Sequence, residues 1–373
     1  MGRTKKHAPP WIEWPAAALI RSAMFGPLVI GLDPARHVAR SLGTLYPGLQ
    51  PSRFQRAVRN LRDAYPEWSD EQVRRTAVGA YQHLFQLGVE FMYTPRLITS
   101  EGFPRHLIFT QIGGALEHML STRPCILVTG HCGNWELMGY AVSMLGFPMH
   151  AVYRPLDLRP LDRWMRETRM RRGLTLVSKF GAVKALPPLV RAGFPIGLVA
   201  DQSGGDRGVF VPFFGRLTST YKSIGMLALQ TGATIICGAS RRLPEGEDPP
   251  PGVWQTCPGP DPRERWGEGS LRYVIEIVDT FGPDDYMRQP DPLYYLTARY
   301  RRGIETMVRN APEQYFWMHR VWRSRPLHER SGKPFPAHLR AKLEALPWMT
   351  PEAVRGIVDR SDADRADLAR LQR

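Results

Sequence analysis

The chain predicts an α/β fold: a mixed, largely parallel central sheet flanked by helices, with a helical segment at the N-terminus. Three observations carry this. Apolar side chains recur at helical spacing over residues 51–100. From residue 123, short apolar runs alternate with helical stretches. The chain has 373 residues, 43% of them hydrophobic, enough for a full-sized core.

The elements follow in order. Segment 11–32 is apolar but carries Glu13, Pro15, Arg21 and Pro27, so it lacks the uninterrupted run of ~20 apolar residues of a membrane span. An interfacial helix with Trp11 and Trp14 at headgroup level fits it better; the alternative is an amphipathic helix packed on the domain. Arg3, Lys5 and Lys6 precede it, and no secretory signal is expected. Phe54, Val58, Leu61 and Tyr65 mark one helix. Ser69-Asp70-Glu71-Gln72 caps a second, continued by Val73, Ala77, Ala80, Tyr81, Leu84 and Leu87. Strands are expected at 126–129, 149–153, 174–177, 196–200 and 235–238, with helices at 136–145, 161–172, 183–192 and 224–231 between them. Residues 271–279 alternate as an added strand with one solvated face would. The Pro-, Gly- and charge-rich stretch 244–270 reads as a surface loop. Residues 291–310 read as a helix, and Pro312 as another helix start. Three regions result: a membrane-associating segment 1–50, a main domain 51–330 and a charged helical tail 331–373.

Fifty Lys+Arg against 35 Asp+Glu leave a net charge of +15, suited to anionic lipid, nucleic acid or an acidic protein partner. No helix-turn-helix, zinc-finger or RNP pattern supports nucleic acid. Neither G-x-G-x-x-G nor G-x-x-x-x-G-K-[ST] is present, so no nucleotide cofactor is indicated. Cys125, Cys132, Cys237 and Cys257 have no C-x-x-C spacing, which points to a reducing compartment and away from disulfides or structural zinc. H-E-x-x-H is absent, so a zincin-type metal site has no basis.

His131-Cys132-Gly133-Asn134-Trp135-Glu136 follows directly on the apolar run 125–130. A strand end fixes an imidazole, and a carboxylate in the first turn of the next helix can fold back to accept its other N–H. His131 is therefore the candidate base and Glu136 its orienting partner. Cys132 offers a covalent route, but neighbours on an extended segment point apart, and it reads as packing.

This motif resembles the H-x4-D/E dyad of the late lipid A (lauroyl/myristoyl) acyltransferases, which share it with glycerolipid acyltransferases. Val152-Tyr153-Arg154-Pro155 is similar to that family's Y-R-P element, and Asp201-Gln202 with Val211-Pro212-Phe213-Phe214-Gly215 to its D-Q…V-P-F-F-G block. Residues 312–320, Pro-Glu-Gln-Tyr-Phe-Trp-Met-His-Arg, are similar to its C-terminal signature. The resemblance spans about residues 50–326. It implies a glycerolipid-acyltransferase-like fold, an N-terminal membrane anchor and direct acyl transfer without an acyl-enzyme. The donor would be an acyl thioester of acyl carrier protein or coenzyme A, with no resident cofactor. The acceptor would be a lipid hydroxyl such as that of a lipid A precursor, on the cytoplasmic face of the inner membrane.

Such chemistry needs a base, charge stabilisation and a dry groove. Arg154 is assigned to a phosphate or the reacting carbonyl, and Lys222 and Arg320 to further phosphate contacts. Asp201, at the carboxyl edge of its strand, is assigned to substrate binding. The family's D-Q-D reads Asp201-Gln202-Ser203 here, which favours a role in holding Arg154 or a loop. Phe210, Phe213, Phe214, Tyr315 and Trp317 are the expected walls of the acyl groove. The helix 158–172 sets Arg159, Arg163, Arg166 and Arg169 against Leu161, Trp164, Met165 and Thr168. It suits an anionic membrane, an acidic carrier or plain solvent. A lipase or esterase in the same groove is the alternative enzyme, but no G-x-S-x-G elbow exists. A basic membrane- or nucleic-acid-binding module is the non-enzymatic one.

Overall fold

A computed structural model of the chain describes residues 9–171, 173–244, 247 and 269–371. Cys257 and most of the loop expected at 244–270 lie outside them.

Five helices come first: α1 (Pro10–Phe25), α2 (Pro27–Ile30), α3 (Leu32–Leu49), α4 (Pro51–Ala64) and α5 (Asp70–Leu97). Ser69 and Gln72 cap α5 reciprocally, each side chain accepting from the other's backbone N–H. The α/β body follows: β1 (Leu107–Thr110), α6 (Gly113–Leu120), β2 (Cys125–Thr129), α7 (Trp135–Met144), β3 (His150–Tyr153), α8 (Arg159–Met170), β4 (Thr175–Ser178), α9 (Ala182–Arg191) and β5 (Ile196–Val199). A hairpin of β6 (Val209–Phe213) and β7 (Arg216–Thr220) precedes α10 (Lys222–Thr231), β8 (Thr234–Arg242) and β9 (Tyr273–Phe281). The chain closes with α11 (Pro283–Tyr286), α12 (Pro292–Asn310), α13 (Leu327–Arg330), α14 (Ala337–Glu344) and α15 (Pro351–Leu371).

Seven strands form one sheet in the order β1-β9-β8-β2-β5-β3-β4. All neighbours are parallel except β8 and β9. The mixed, largely parallel sheet therefore stands as expected. The central strand β2 is buried at all five residues, as a strand covered on both faces must be. Two features differ from expectation. β9 is not cleanly alternating: it is buried at its first three residues and its last. Pro312 opens only a single 3-10 turn to Gln314, after which Tyr315 is extended.

The N-terminal segment joins the fold partly. Leu32, Ala35 and Ala39 of α3 enter a core with Val89, Leu137 and Tyr140, whereas Trp11, Leu19 and Val29 stay 74%, 74% and 86% exposed. The tail is tied in by charge. Asp364 of α15 binds Arg216 of β7 and Arg325, and Arg325 also pairs with Glu329. Among the described residues, no helix is long and apolar enough to cross a membrane.

Candidate active site

The site is set by strand register. β2 and β5 are parallel neighbours with Thr129 opposite Val199, and Ala200 N–H donates to Thr129 O at 2.8 Å. Two residues further along each strand, His131 meets Asp201. His131 Nδ1 lies 2.7 Å from Asp201 Oδ1, so the ionised carboxylate fixes the proton on Nδ1 and leaves Nε2 as acceptor.

Three neighbours hold the loop that carries His131. Gly133 N–H donates to Gln314 O at 2.9 Å, Phe316 N–H to His131 O at 3.0 Å, and Asn134 N–H to Ser240 O at 2.7 Å. Gly133 has φ +57°, and a Cβ there would sit 1.9 Å from Ser240 O. Only glycine permits both. Gln314 and Phe316 of the signature 312–320 thus brace the loop that carries His131, and the Gln314 side chain pairs with both backbone groups of Arg242.

Asn134 caps α7 through Leu137 N–H and donates to Glu90. Glu90 is fully buried and accepts from Arg242 at 3.0 and 2.9 Å and from Tyr273 at 2.6 Å; Arg36 Nε lies 3.4 Å away. His83 Nε2, from α5, bonds Gly133 O at 3.0 Å. Sequence patterning could not single out these residues, because nothing local distinguishes a buried Glu from a solvated one on a helix.

The two groups shift each other's titration in opposite directions. Burial opposes the imidazolium of His131, but the charge and hydrogen bond of Asp201 outweigh it, Glu136 adds a smaller part, and the pKa is raised. Burial likewise opposes the Asp201 carboxylate, yet His131, then His319 and Arg301, hold it well below the usual range. Arg301, fully buried on α12, donates to Asp201 O at 2.6 Å and lies 3.9 Å over the Phe213 ring. His319 packs on His131 with ring centroids 4.6 Å apart. Burial, despite the opposing pull of Asp201, brings its pKa down to about 4, so it is neutral at pH 7.

Several expected assignments are corrected. Glu136 does not orient His131; its carboxylate is clasped by Arg169 of α8 at 2.8 and 2.6 Å. Asp201, expected to hold Arg154 or a loop, takes the orienting place instead. Arg169 is therefore not part of a solvated face. Phe213, Phe214, Tyr315 and Trp317 are buried in the core with Tyr65 and Trp322 and do not wall an open groove. Phe210 lines a separate cavity of about 440 Å³ with Leu327, Pro336 and Leu339. Beside His131 lies only a narrow gap, lined by Ala80, His83, Leu84, Leu87, Trp135, Gln314 and Phe316, with no room for a water molecule. Cys132 is fully buried, 3.9 Å from Met307 Sδ, and burial pushes its thiol up to about 12, so it is no nucleophile at neutral pH. Arg154, Lys222 and Arg320 are exposed. Arg320 joins Arg53 and Arg59 around Arg56; burial first and then these three charges lower the Arg56 pKa.

An imidazole and a carboxylate thus meet at the carboxyl end of a largely parallel sheet. A family profile for bacterial lipid A biosynthesis acyltransferases matches residues 4–255, and the chain belongs to that family. It is 25% identical over 299 residues to the lipid A biosynthesis lauroyltransferase of Escherichia coli (strain K12), covering 76% of this chain and 84% of that protein. It is 24% identical over 276 residues to a lipid A biosynthesis acyltransferase of Haemophilus influenzae, covering 72% and 76%.

Proposed function

We infer that the protein transfers a fatty acyl chain from an acyl thioester, carried by acyl carrier protein or coenzyme A, to a hydroxyl of a glycolipid or phospholipid such as a lipid A precursor. The carrying observation is the His131–Asp201 contact of 2.7 Å at the carboxyl end of the parallel strands β2 and β5. His131 Nε2 takes the acceptor's hydroxyl proton as the oxygen attacks the thioester carbonyl. Asp201 stabilises the imidazolium that forms. When the tetrahedral intermediate collapses, the imidazolium returns the proton to the departing thiolate, and ester and free thiol result.

Charge and exposure support a membrane lipid as acceptor. Arg53, Arg56, Arg59 and Arg320 cluster where α4 meets the signature segment, and Arg56 donates to Met318 O at 3.3 Å. Such a cluster suits lipid phosphates or an acidic carrier. On α1, Trp11 and Trp14 are exposed, while Phe25 packs on Trp164 of the basic helix α8. This combination supports seating at the cytoplasmic surface of the inner membrane. Replacing His131 by Ala should abolish transfer of labelled acyl chain into lipid and remove the acylated product from the membrane lipid mass spectrum. Near-normal turnover by folded H131A defeats the assignment.

A further inference from the structure

Asp201 offers one oxygen to each of two imidazoles. Oδ1 is 2.7 Å from His131 Nδ1, and Oδ2 is 4.0 Å from His319 Nε2. One nitrogen from each ring and one carboxylate oxygen all lie within 4.8 Å of one another. His319 Nε2 has no hydrogen-bond partner among the described residues. The carboxylate is fully buried, whereas both imidazole side chains are partly open, at 21% and 16% exposure. Two histidines and a carboxylate are a ligand set that borderline divalent ions prefer.

The geometry points to a zinc-binding site formed by His131, Asp201 and His319, whose occupation switches the enzyme off. Zinc–nitrogen and zinc–oxygen bonds of about 2.0–2.2 Å need ligand atoms roughly 3.3 Å apart, so the widest pair must close by roughly 1.5 Å. Rotation of the partly exposed His319 ring supplies that movement. Binding replaces the His131–Asp201 hydrogen bond by two metal–ligand bonds. The Nδ1 proton is displaced to Nε2, and the imidazole stays neutral. With Nε2 protonated, no lone pair remains to take the acceptor's proton. The inhibitory part rests on the reading of His131 as the base; the site itself does not.

Cobalt(II) titrated into the purified full-length chain reads the site directly through the visible absorption of a low-symmetry N2O centre. One equivalent should bind and be displaced by zinc. His319→Phe, His131→Ala and Asp201→Asn should each lose the bands or weaken binding by at least ~100-fold. His338→Ala, an exposed histidine, should keep them, and melting curves report which variants remain folded. Bands that survive in folded H319F and H131A, or wild-type protein without a saturable cobalt spectrum, overturn the proposal. In parallel, zinc should inhibit acyl transfer with the same stoichiometry, reversibly by chelator. Full turnover with zinc bound through these three residues leaves the site standing and overturns His131 as the base.

Discussion

Replacing Asp201 by Asn separates the two carboxylates that compete for the role of orienting partner. The substitution keeps side-chain shape, and the Arg301 bond survives because it goes to the main-chain oxygen of residue 201. What is lost is a charge 2.7 Å from His131 Nδ1. A charge-assisted hydrogen bond contributes ~1.5–3 kcal/mol. The Asn amide can also donate to Nδ1, which stabilises the tautomer with its proton on Nε2, where no base is left. Together these cost about 3–5 kcal/mol in the transition state, or roughly a hundred- to several-thousand-fold in kcat. The pH profile adds a second readout. His131 must be neutral to act, and its pKa lies above the ordinary 6.5 against the opposing effect of burial, chiefly through Asp201. Activity therefore falls as pH drops through that raised value, and in D201N the acid limb moves to lower pH. Glu136→Gln should leave the limb near its wild-type position and cost less in kcat, because the Glu136 carboxylate is engaged by Arg169. Steady-state kinetics of both variants across pH 5–9 (about the range in which an imidazole titrates) decide the matter. A larger loss and a larger limb shift in E136Q than in D201N would refute the reasoning.

Glu90→Gln leaves the buried Arg242 guanidinium without its countercharge. It should cost ~3–5 kcal/mol and lower the melting temperature by roughly 4–6 °C, read by calorimetry. Acid should weaken the fold before the carboxylates titrate. Burial depresses His83 and His319, and pulls His106 to about 4. Their stabilising effect is complete above the unfolded value near 6.5 and is lost as pH falls through the folded values. His106 alone should remove about 3 kcal/mol by pH 4, measurable by denaturant titration and relieved in His106→Gln. Trp11→Ser with Trp14→Ser should reduce sedimentation with anionic liposomes by roughly tenfold or more while leaving the melting temperature unchanged; unchanged sedimentation removes α1 from the membrane face.

Much of this fold is written locally. The periodicity of 51–97, the Ser69–Gln72 cap and the apolar runs of β2, β3, β4, β5 and β8 each declare themselves within a dozen residues. The edge strand β1 and the β6–β7 hairpin do not, because four or five residues of mixed polarity carry no period that sets them apart. The site is legible in part for a related reason. His131 is visible because a strand end, two glycines and a helix cap surround it in sequence. Its partner is chosen by sheet order, and sheet order is a non-local property. Once β5 takes its place beside β2 in register, the residue two positions past Val199 faces the residue two positions past Thr129, whatever lies between them in the chain. Glu136, only five positions from His131, leaves with the first turn of α7 and finds Arg169 from α8. The motif's spacing therefore marks the imidazole, while the carboxylate that meets it comes from strand pairing. The signature 312–320 follows the same logic. Its aromatic residues fill the core, its Gln314 completes an added pairing with Arg242, and its contribution to the site is the one residue composition alone would pass over, His319.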